Sequence, residues 1–225
     1  MSEQSRTPTT ENPVSELYKK TILASYIRQN QKAEKGQIVF VGSSLMEYFP
    51  IEKMQRKQDL GFSKAIYNRG LSATTTTELL ENIDLQIFDL EPSKIFINIG
   101  SNDVGYEVLE SVFLGNYDEI LRQIKEKLPE TEVYVMAYYP LNAEDDFGLS
   151  KADHEALYTI RTNEAFDEAS KKVAQLAKKY NYKFINVNDG LVDKKGNLKK
   201  ELSRDGVHIL PAGYEIILEN MRKYL

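Results

Sequence analysis

Short apolar runs alternate along the chain with stretches whose apolar residues recur at helical spacing. Runs rich in β-branched residues are typical of buried strands, and a spacing of three to four residues indicates helices. This alternation predicts a single α/β domain with a five-stranded parallel sheet, helices on both faces and right-handed crossovers. The strands are expected at residues 37–41, 65–68, 94–99, 132–137 and 183–187.

Capping signals and periodicity place helices between these strands. Ser15 is predicted to cap the first helix, and Pro211 suits the first turn of the last one. Thr75 and Glu78 have the spacing of a capping box. Between the fourth and fifth strands the pattern predicts one long helix. The helices are expected at about 15–35, 45–49, 51–57, 74–87, 111–128, 152–180 and 211–224.

Two stretches lack this periodicity. Residues 1–14 are rich in Ser, Thr, Glu and Pro, and we expect a flexible tail there, so that the domain itself covers 15–225. Residues 141–150 contain three acidic side chains and a glycine, which predicts a polar loop. The sequence leaves open whether this loop closes over a substrate as a lid.

Composition narrows the classes of function. The net charge is -5 and the basic residues are scattered, which argues against nucleic acid as a partner. The absence of cysteine excludes disulfides, thiolate catalysis and cysteine-zinc sites. No apolar run approaches the ~20 residues of a membrane span, and the N-terminus lacks the apolar core of a secretory signal. We therefore expect a cytoplasmic protein; the oligomeric state is not indicated.

Small or polar residues that are candidates for chemistry follow the ends of the first three predicted strands. Ser43 and Ser44 follow the first strand, Gly70 the second and Asn102 the third. Because the carboxyl ends of parallel strands meet at one edge of a sheet, these three stretches are expected to converge. His208 lies between the fifth strand and the last helix, and it can reach the same edge.

A histidine at this edge would complete a nucleophilic site. A serine hydroxyl attacks at neutral pH only when a neighbouring base takes its proton, and the unperturbed pKa of histidine, ~6.5, suits that task. His208 follows Asp205 by three residues, and this carboxylate can fix the tautomer of the ring. The chain's second histidine, His154, is expected to be a solvated surface residue at the start of a helix.

Four blocks, in this order along the chain, resemble the SGNH, or GDSL-like, hydrolases. The resemblance covers nearly all of the chain beyond the tail. It implies a flavodoxin-like three-layer α/β/α sandwich, an ester or thioester as the small-molecule substrate, and no need for a cofactor or a metal. The blocks are Phe-Val-Gly-Ser-Ser-Leu at 40–45, Asn-Arg-Gly at 68–70, Gly-Ser-Asn-Asp at 100–103, and Asp-Gly-Val-His at 205–208 followed by Pro-Ala-Gly-Tyr at 211–214.

The resemblance also implies a role for each candidate residue. Ser44 corresponds to the nucleophile of the family, His208 to its general base, and Asp205 to the carboxylate that orients the base. The oxyanion hole corresponds to the N–H of Gly70, the side chain of Asn102 and the N–H of Ser44.

The first block departs from the Gly-Asp-Ser of the family. Ser43 stands where the family usually has an acidic residue beside the nucleophile. This difference bears on the rate more than on the type of reaction. Ser43 and Tyr139, which lies at the end of the fourth strand, are weaker candidates for contact with a substrate.

Other interpretations stay open at this level. Taken singly, Asn102 fits a turn, Gly70 a backbone requirement, and Asp205 a surface ion pair with Arg204. With the blocks together, the resemblance implies a serine esterase that cleaves small or short-chain acyl esters through an acyl-enzyme on Ser44. One alternative is a module with weakened activity that binds a glycan or an acyl ligand. A nucleotide-binding protein is disfavoured, because no Gly-rich phosphate loop follows the first strand.

Overall fold

A five-stranded, fully parallel sheet forms the centre of the computed structural model, which describes residues 13–58 and 60–225. Its strand order is β2-β1-β3-β4-β5, the order of flavodoxin-like folds. The prediction of an α/β fold with this sheet is therefore confirmed. The strands are β1 (Ile38–Gly42), β2 (Ile66–Asn68), β3 (Lys94–Asn98), β4 (Glu132–Met136) and β5 (Lys183–Ile185).

Helices cover both faces of the sheet. Among the helices of the described residues, none combines the length and the apolar character that a bilayer crossing requires. The helices are α1 (Pro13–Asn30), α2 (Ser44–Glu47), α3 (Ile51–Gln58), α4 (Thr76–Glu81), α5 (Ile83–Gln86), α6 (Ser101–Gly105), α7 (Glu110–Lys127), α8 (Lys151–Tyr158), α9 (Asn163–Lys179) and α10 (Pro211–Met221), with short 3-10 helices at Phe88–Leu90, Lys200–Leu202 and Arg222–Tyr224.

The two faces of the sheet carry separate apolar cores, because successive side chains of a strand point to opposite sides. In β1, Ile38 and Phe40 pack with apolar residues of α3 and α10. Val39 and Val41 pack on the opposite face with residues of α4, α7 and α9. All four side chains are buried. Burial on both faces explains why β1 is a continuous apolar run rather than an alternating one.

The helix predicted over 152–180 is two helices in the structure, so this prediction was wrong where the chain turns between α8 and α9. Thr162 caps α9, since its hydroxyl accepts a hydrogen bond from the N–H of Ala165 at 3.1 Å. The side chain of Asn163 accepts from the N–H of Leu141 at 2.8 Å and donates to its carbonyl at 3.0 Å. These contacts fix the start of α9 beside the segment that follows β4.

The helix predicted over 74–87 is also divided in the structure. Asn82 separates α4 from α5 and belongs to neither helix. The predicted capping pair is present, because the N–H of Thr75 donates to the Glu78 carboxylate at 2.9 Å. The capping signal therefore predicted the start of the helix correctly, whereas no residue pattern predicted its interruption at Asn82.

The first helix begins earlier than predicted. Ser15, the predicted cap, lies inside α1, and Pro13 occupies the first described turn, where proline is well tolerated. Most of the tail predicted for 1–14 lies outside the described residues.

Helix α1 holds the segment that follows β2. The Tyr26 hydroxyl donates a hydrogen bond to the carbonyl of Gly70. The fully buried guanidinium of Arg69 donates from Nε and Nη2 to Asn30 Oδ1, at 3.0 and 2.9 Å. Two adjacent residues of this segment are therefore fixed by side chains of α1.

Replacing Phe96 with alanine is expected to destabilise the fold by about 3–5 kcal/mol, because a large buried ring leaves a cavity. Phe96 is 0 % exposed in β3, and its ring centroid lies 5.1 Å from that of Phe40 and 4.8 Å from that of Tyr134. Urea unfolding measures the loss. Val112→Ala, at a position 42 % exposed on α7, is the control and should cost about 0.5 kcal/mol or less. Equal losses for both variants would contradict the packing described here.

Candidate active site

The turn between β1 and α2 places Ser44 at the carboxyl edge of the sheet. The carbonyl of Ser43 accepts hydrogen bonds from the N–H groups of Met46 and Glu47, at 3.0 and 2.9 Å, which closes the first helical turn. Ser43 is only 1 % exposed, whereas Ser44 is partly exposed. Because Ser44 opens α2, its N–H has no acceptor within the helix. The turn therefore presents a hydroxyl and an amide hydrogen at the same place.

Ser44, His208 and Asp205 form a continuous hydrogen-bonded chain. The Nε2 atom of His208 lies 3.2 Å from Ser44 Oγ, and its Nδ1 lies 2.7 Å from Asp205 Oδ2. Both are hydrogen-bond distances. When Nδ1 carries the proton toward the carboxylate, the lone pair of Nε2 faces the serine hydroxyl. The structure thus joins the three residues in the order that the predicted nucleophile, base and orienting group require.

A tight turn holds the imidazole in this position. Asp205 Oδ1 accepts hydrogen bonds from the backbone N–H groups of His208, at 2.7 Å, and Val207, at 3.1 Å. The N–H of Gly206 donates to Ser203 Oγ at 2.8 Å, and Gly206 has a φ of +86°, a conformation that favours glycine. One carboxylate therefore shapes the backbone with one oxygen and orients the ring with the other.

The hydrogen bonds to Asp205 keep it ionised. Burial by itself raises its pKa, but the side-chain and backbone hydrogen bonds from His208, together with the one from Val207, hold this pKa well below its usual range. Arg204 also lies 3.4 Å from Asp205 Oδ2, so the surface pairing considered as an alternative coexists with the contact to His208. The carboxylate is charged at neutral pH, as the stabilisation of an imidazolium requires.

Two distant residues fix the His208 turn, and the sequence analysis missed both. The Tyr158 hydroxyl, at the end of α8, donates to the Asp205 carbonyl at 2.9 Å. The N–H of Asn142 donates to the carbonyl of Gly206 at 2.8 Å. The predicted polar loop thus lies against the turn that carries the base, and its role as a lid stays a prediction. Neither Tyr158 nor Asn142 belongs to a short motif, so the sequence alone carried no signal for them.

Helix α6 presents Asn102 beside the start of α4. The Asn102 Nδ2 donates to the carbonyl of Thr74 at 3.0 Å, which leaves the second amide hydrogen for another acceptor. The neighbouring Asp103 is fully buried and accepts hydrogen bonds from the N–H of Thr76, at 3.0 Å, and from its hydroxyl, at 2.5 Å. Adjacent side chains of α6 therefore tie this helix to the segment around α4.

Gly70 lies directly against α2. A Cβ atom at this position would come within 2.2 Å of the backbone nitrogen of Glu47, so only glycine fits. The N–H of Gly70 donates to Asn68 Oδ1 at 2.9 Å. The structure thus brings Gly70 next to the helix that starts at Ser44, but its amide hydrogen is engaged by a side chain.

Tyr139 lies beneath the turn between β1 and α2 rather than in the open site. It is 1 % exposed, and its hydroxyl is 4.0 Å from the sulfur of Met46. It also lines a cavity of about 390 Å³ together with Pro140 and Asn188. Its role in substrate contact, like that of Ser43, stays a prediction.

His154 lies in the first turn of α8 and is partly exposed. Its ring centroid lies 4.7 Å from that of Tyr158, one turn further along the helix.

The arrangement fits acyl transfer. It combines a nucleophile, a base with its orienting carboxylate, and N–H groups for a developing oxyanion. In the part of the chain that the structure describes, no three acidic or histidine side chains are grouped as metal ligands.

Comparison with known proteins gives a consistent family. The model of the GDSL-like Lipase/Acylhydrolase family matches residues 40–216, a range that contains Ser44, Gly70, Asn102, Asp205 and His208. No curated protein sequence matches the chain.

Several solved structures share the fold. A proposed platelet activating factor from Streptococcus pneumonia is 31% identical, with a TM-score of 0.82 and 94% of each chain covered. A proposed acylhydrolase from Bacteroides fragilis is 20% identical, with a TM-score of 0.71 and coverage of 90% of this chain and 94% of that one. A GDSL-like lipase from Bacteroides thetaiotaomicron is 21% identical, with a TM-score of 0.68 and coverage of 90% and 96%.

Asp103 is expected to make stability depend on pH. Burial raises the pKa of this carboxyl to about 6, although hydrogen bonds from Thr76 lower it in part. A raised pKa in the folded state means that the contribution to stability is fully present below about pH 4 and is lost as the pH rises through about 6. Relative to Asp103→Asn, the wild type should therefore gain about 2 kcal/mol between pH 7 and pH 4.

Urea unfolding of both proteins at a series of pH values measures this difference. Asp84→Asn is the matched control. The Asp84 carboxyl is 73% exposed, so its replacement should change the pH dependence of the unfolding free energy less. A constant free-energy difference between the wild type and Asp103→Asn from pH 4 to pH 7 would contradict the expected burial effect.

Proposed function

The chain belongs to the GDSL-like lipase/acylhydrolase family, and from this premise we propose that it is a serine esterase that cleaves small or short-chain acyl esters. The observation that carries the proposal is the contact of His208 Nε2 with Ser44 Oγ, at 3.2 Å, on a ring whose Nδ1 contacts Asp205. This is the relation of nucleophile, base and orienting group that serine acyl transfer needs.

The reaction proceeds in two halves. The Ser44 oxygen attacks the acyl carbon while His208 takes the hydroxyl proton. The bond to the alcohol then breaks, and His208 gives that proton to the leaving alcohol. Water then attacks the acyl carbon while His208 takes its proton; the bond to Ser44 Oγ breaks, His208 returns the proton to that oxygen, and the acid leaves. Asp205 stabilises the imidazolium in both halves and stays ionised.

Three donors would bind the oxyanion. The N–H of Ser44 has no helical acceptor, and Asn102 retains one amide hydrogen beyond its bond to Thr74. The third donor, the N–H of Gly70, would exchange Asn68 Oδ1 for the oxyanion as negative charge develops. Charge-assisted hydrogen bonds are stronger than neutral ones, which favours this exchange in the transition state.

Ser44→Ala is expected to abolish hydrolysis of p-nitrophenyl acetate, butyrate and octanoate, because no other group forms the acyl-enzyme. In the wild type the rate should fall from acetate and butyrate to octanoate. Steady-state kinetics measures both effects. A fluorophosphonate probe should label Ser44 in the wild type.

Ser43→Ala is the matched control, since it removes the neighbouring hydroxyl and should retain labelling at Ser44. Labelling that follows Ser43 instead would overturn the assignment of the nucleophile. A folded wild type that neither hydrolyses these esters nor reacts with the probe would favour the binding module.

Asn102→Ala is expected to lower kcat by about 10²- to 10³-fold while KM changes less, because an oxyanion donor acts mainly in the transition state. Since Asn102 also bonds to Thr74, thermal unfolding must show that the variant is folded. A variant with a raised KM and an unchanged kcat would assign Asn102 to substrate binding instead.

A further inference from the structure

Arg161 is a cation without a hydrogen-bond or ion-pair partner among the described residues. It lies in the turn between α8 and α9, and its side chain is partly buried. Its guanidinium stacks over the ring of Tyr106, 5.2 Å from the centroid, and makes no hydrogen bond or ion pair with the part of the chain that the structure describes. Arg69 offers a contrast, because it is fully buried and donates to both Asn30 and Asn68.

Partial burial makes an uncompensated charge costly. Loss of water around the guanidinium lowers the pKa of Arg161, and only the hydroxyls of Tyr106 and Tyr158 oppose this effect. A charge taken out of water is stabilised by an anion and by hydrogen bonds to its donors. The described residues supply neither to Arg161, so its donors are available to a bound anion.

On one side, Arg161 borders the helix that carries Asn102. Its guanidinium lies against Gly105, where a Cβ atom would come within 2.4 Å of Nε and 2.5 Å of Cζ. Asn102 and Gly105 are three residues apart in α6 and therefore share a face of the helix. The absence of a side chain at position 105 makes room for the guanidinium on the face that presents the proposed oxyanion donor.

On the other side, Tyr158 lies close enough to Arg161 to influence its pKa. The Tyr158 hydroxyl donates a hydrogen bond to the carbonyl of Asp205 at 2.9 Å. Arg161 thus lies against the helix that carries Asn102 and near a side chain that contacts the His208 turn. Arg204, near the same turn, is already placed beside the Asp205 carboxylate.

We propose that Arg161 selects esters that carry an anionic group, a carboxylate or a phosphate, by binding that group beside the site. The planar guanidinium offers paired donors that match both anions. This inference rests on the esterase activity proposed above and adds the class of substrate to it. Arg161 is a specificity residue and takes no part in bond making or breaking.

Matched esters test the proposal. The first pair is the 4-nitrophenyl monoester of glutarate and the same compound with its free carboxylate methylated. The second set is the acetate esters of 4-hydroxybenzoate and of 4-hydroxyphenyl phosphate, compared with that of methyl 4-hydroxybenzoate. These compounds place a carboxylate on the acyl side and a carboxylate or a phosphate on the alcohol side. The measured quantity is kcat/KM of an anionic ester divided by that of its neutral partner.

In the wild type, at least one anionic ester should be preferred, and Arg161→Met should lower that ratio by about 10- to 100-fold, the usual strength of hydrogen bonds to a charged group. Arg161→Lys should restore part of the loss, because it keeps the charge without the paired donors. Differences in intrinsic reactivity between the esters cancel when one ratio is compared between variants.

Two further variants separate recognition from structure. Gly105→Ala should lower the ratio while the arginine is retained, because the new methyl group displaces the flexible end of the side chain. Arg122→Met removes an arginine that pairs with Glu119 and Glu126 on the surface of α7, and it should leave the ratio unchanged.

The outcomes are distinct. A ratio in Arg161→Met equal to that of the wild type, or equal losses on anionic and neutral esters, would overturn the role of Arg161. A wild type that hydrolyses the neutral esters through Ser44 without preference for any anionic ester would overturn only this inference. A wild type inactive on every ester, and unreactive toward the fluorophosphonate, would overturn the esterase proposal and this inference with it.

Discussion

Parallel pairing of β1 with both of its neighbours is the constraint from which the site follows. Phe40 lies opposite Asn68 in β2 and opposite Phe96 in β3, so that the carboxyl ends of the three strands meet at one edge. Ser44 follows the end of β1, Gly70 that of β2 and Asn102 that of β3. A shift of one residue would turn apolar side chains away from their core. The burial that stabilises the sheet therefore also fixes the relative positions of these three segments.

His208 reaches the same edge of the sheet through side-chain hydrogen bonds rather than through strand pairing. His208 follows no strand, and its position depends on the Asp205 carboxylate and on hydrogen bonds from Tyr158 and Asn142. Each such bond contributes only about 0.5–1.5 kcal/mol, so the turn is held by several of them together. The site thus combines a part fixed by a packed sheet with a part fixed by side-chain contacts. The free energy of local opening is lower for segments held by few contacts, such as the His208 turn, than for the packed strands.

The strands and the helical layers were predictable because their signals are local, and the meeting of Ser44 with His208 was expected from the parallel sheet and the order of the four blocks. Each of the first three predicted strands is followed within two residues by a glycine, and Asp205 lies three residues before His208. The interruption between α8 and α9 was not predictable in this way, since helical spacing continues through it. What decides it is the contact of Asn163 with Leu141, 22 residues away. The contact of Tyr158 with Asp205 spans 47 residues, and no sequence pattern announces it.

Side chains of helix α1 orient the backbone that follows β2. The helix precedes the segment that carries the family's motifs, yet Tyr26 holds the carbonyl of Gly70, and Asn30 holds Arg69. The peptide planes around Arg69 and Gly70 are thus oriented from outside residues 40–216, the range that the family model matches. Preorganisation of donors governs how well an oxyanion is stabilised. For the esterase proposed above, substitutions in α1 are therefore expected to change turnover through the orientation of the Gly70 N–H, with every motif residue unchanged.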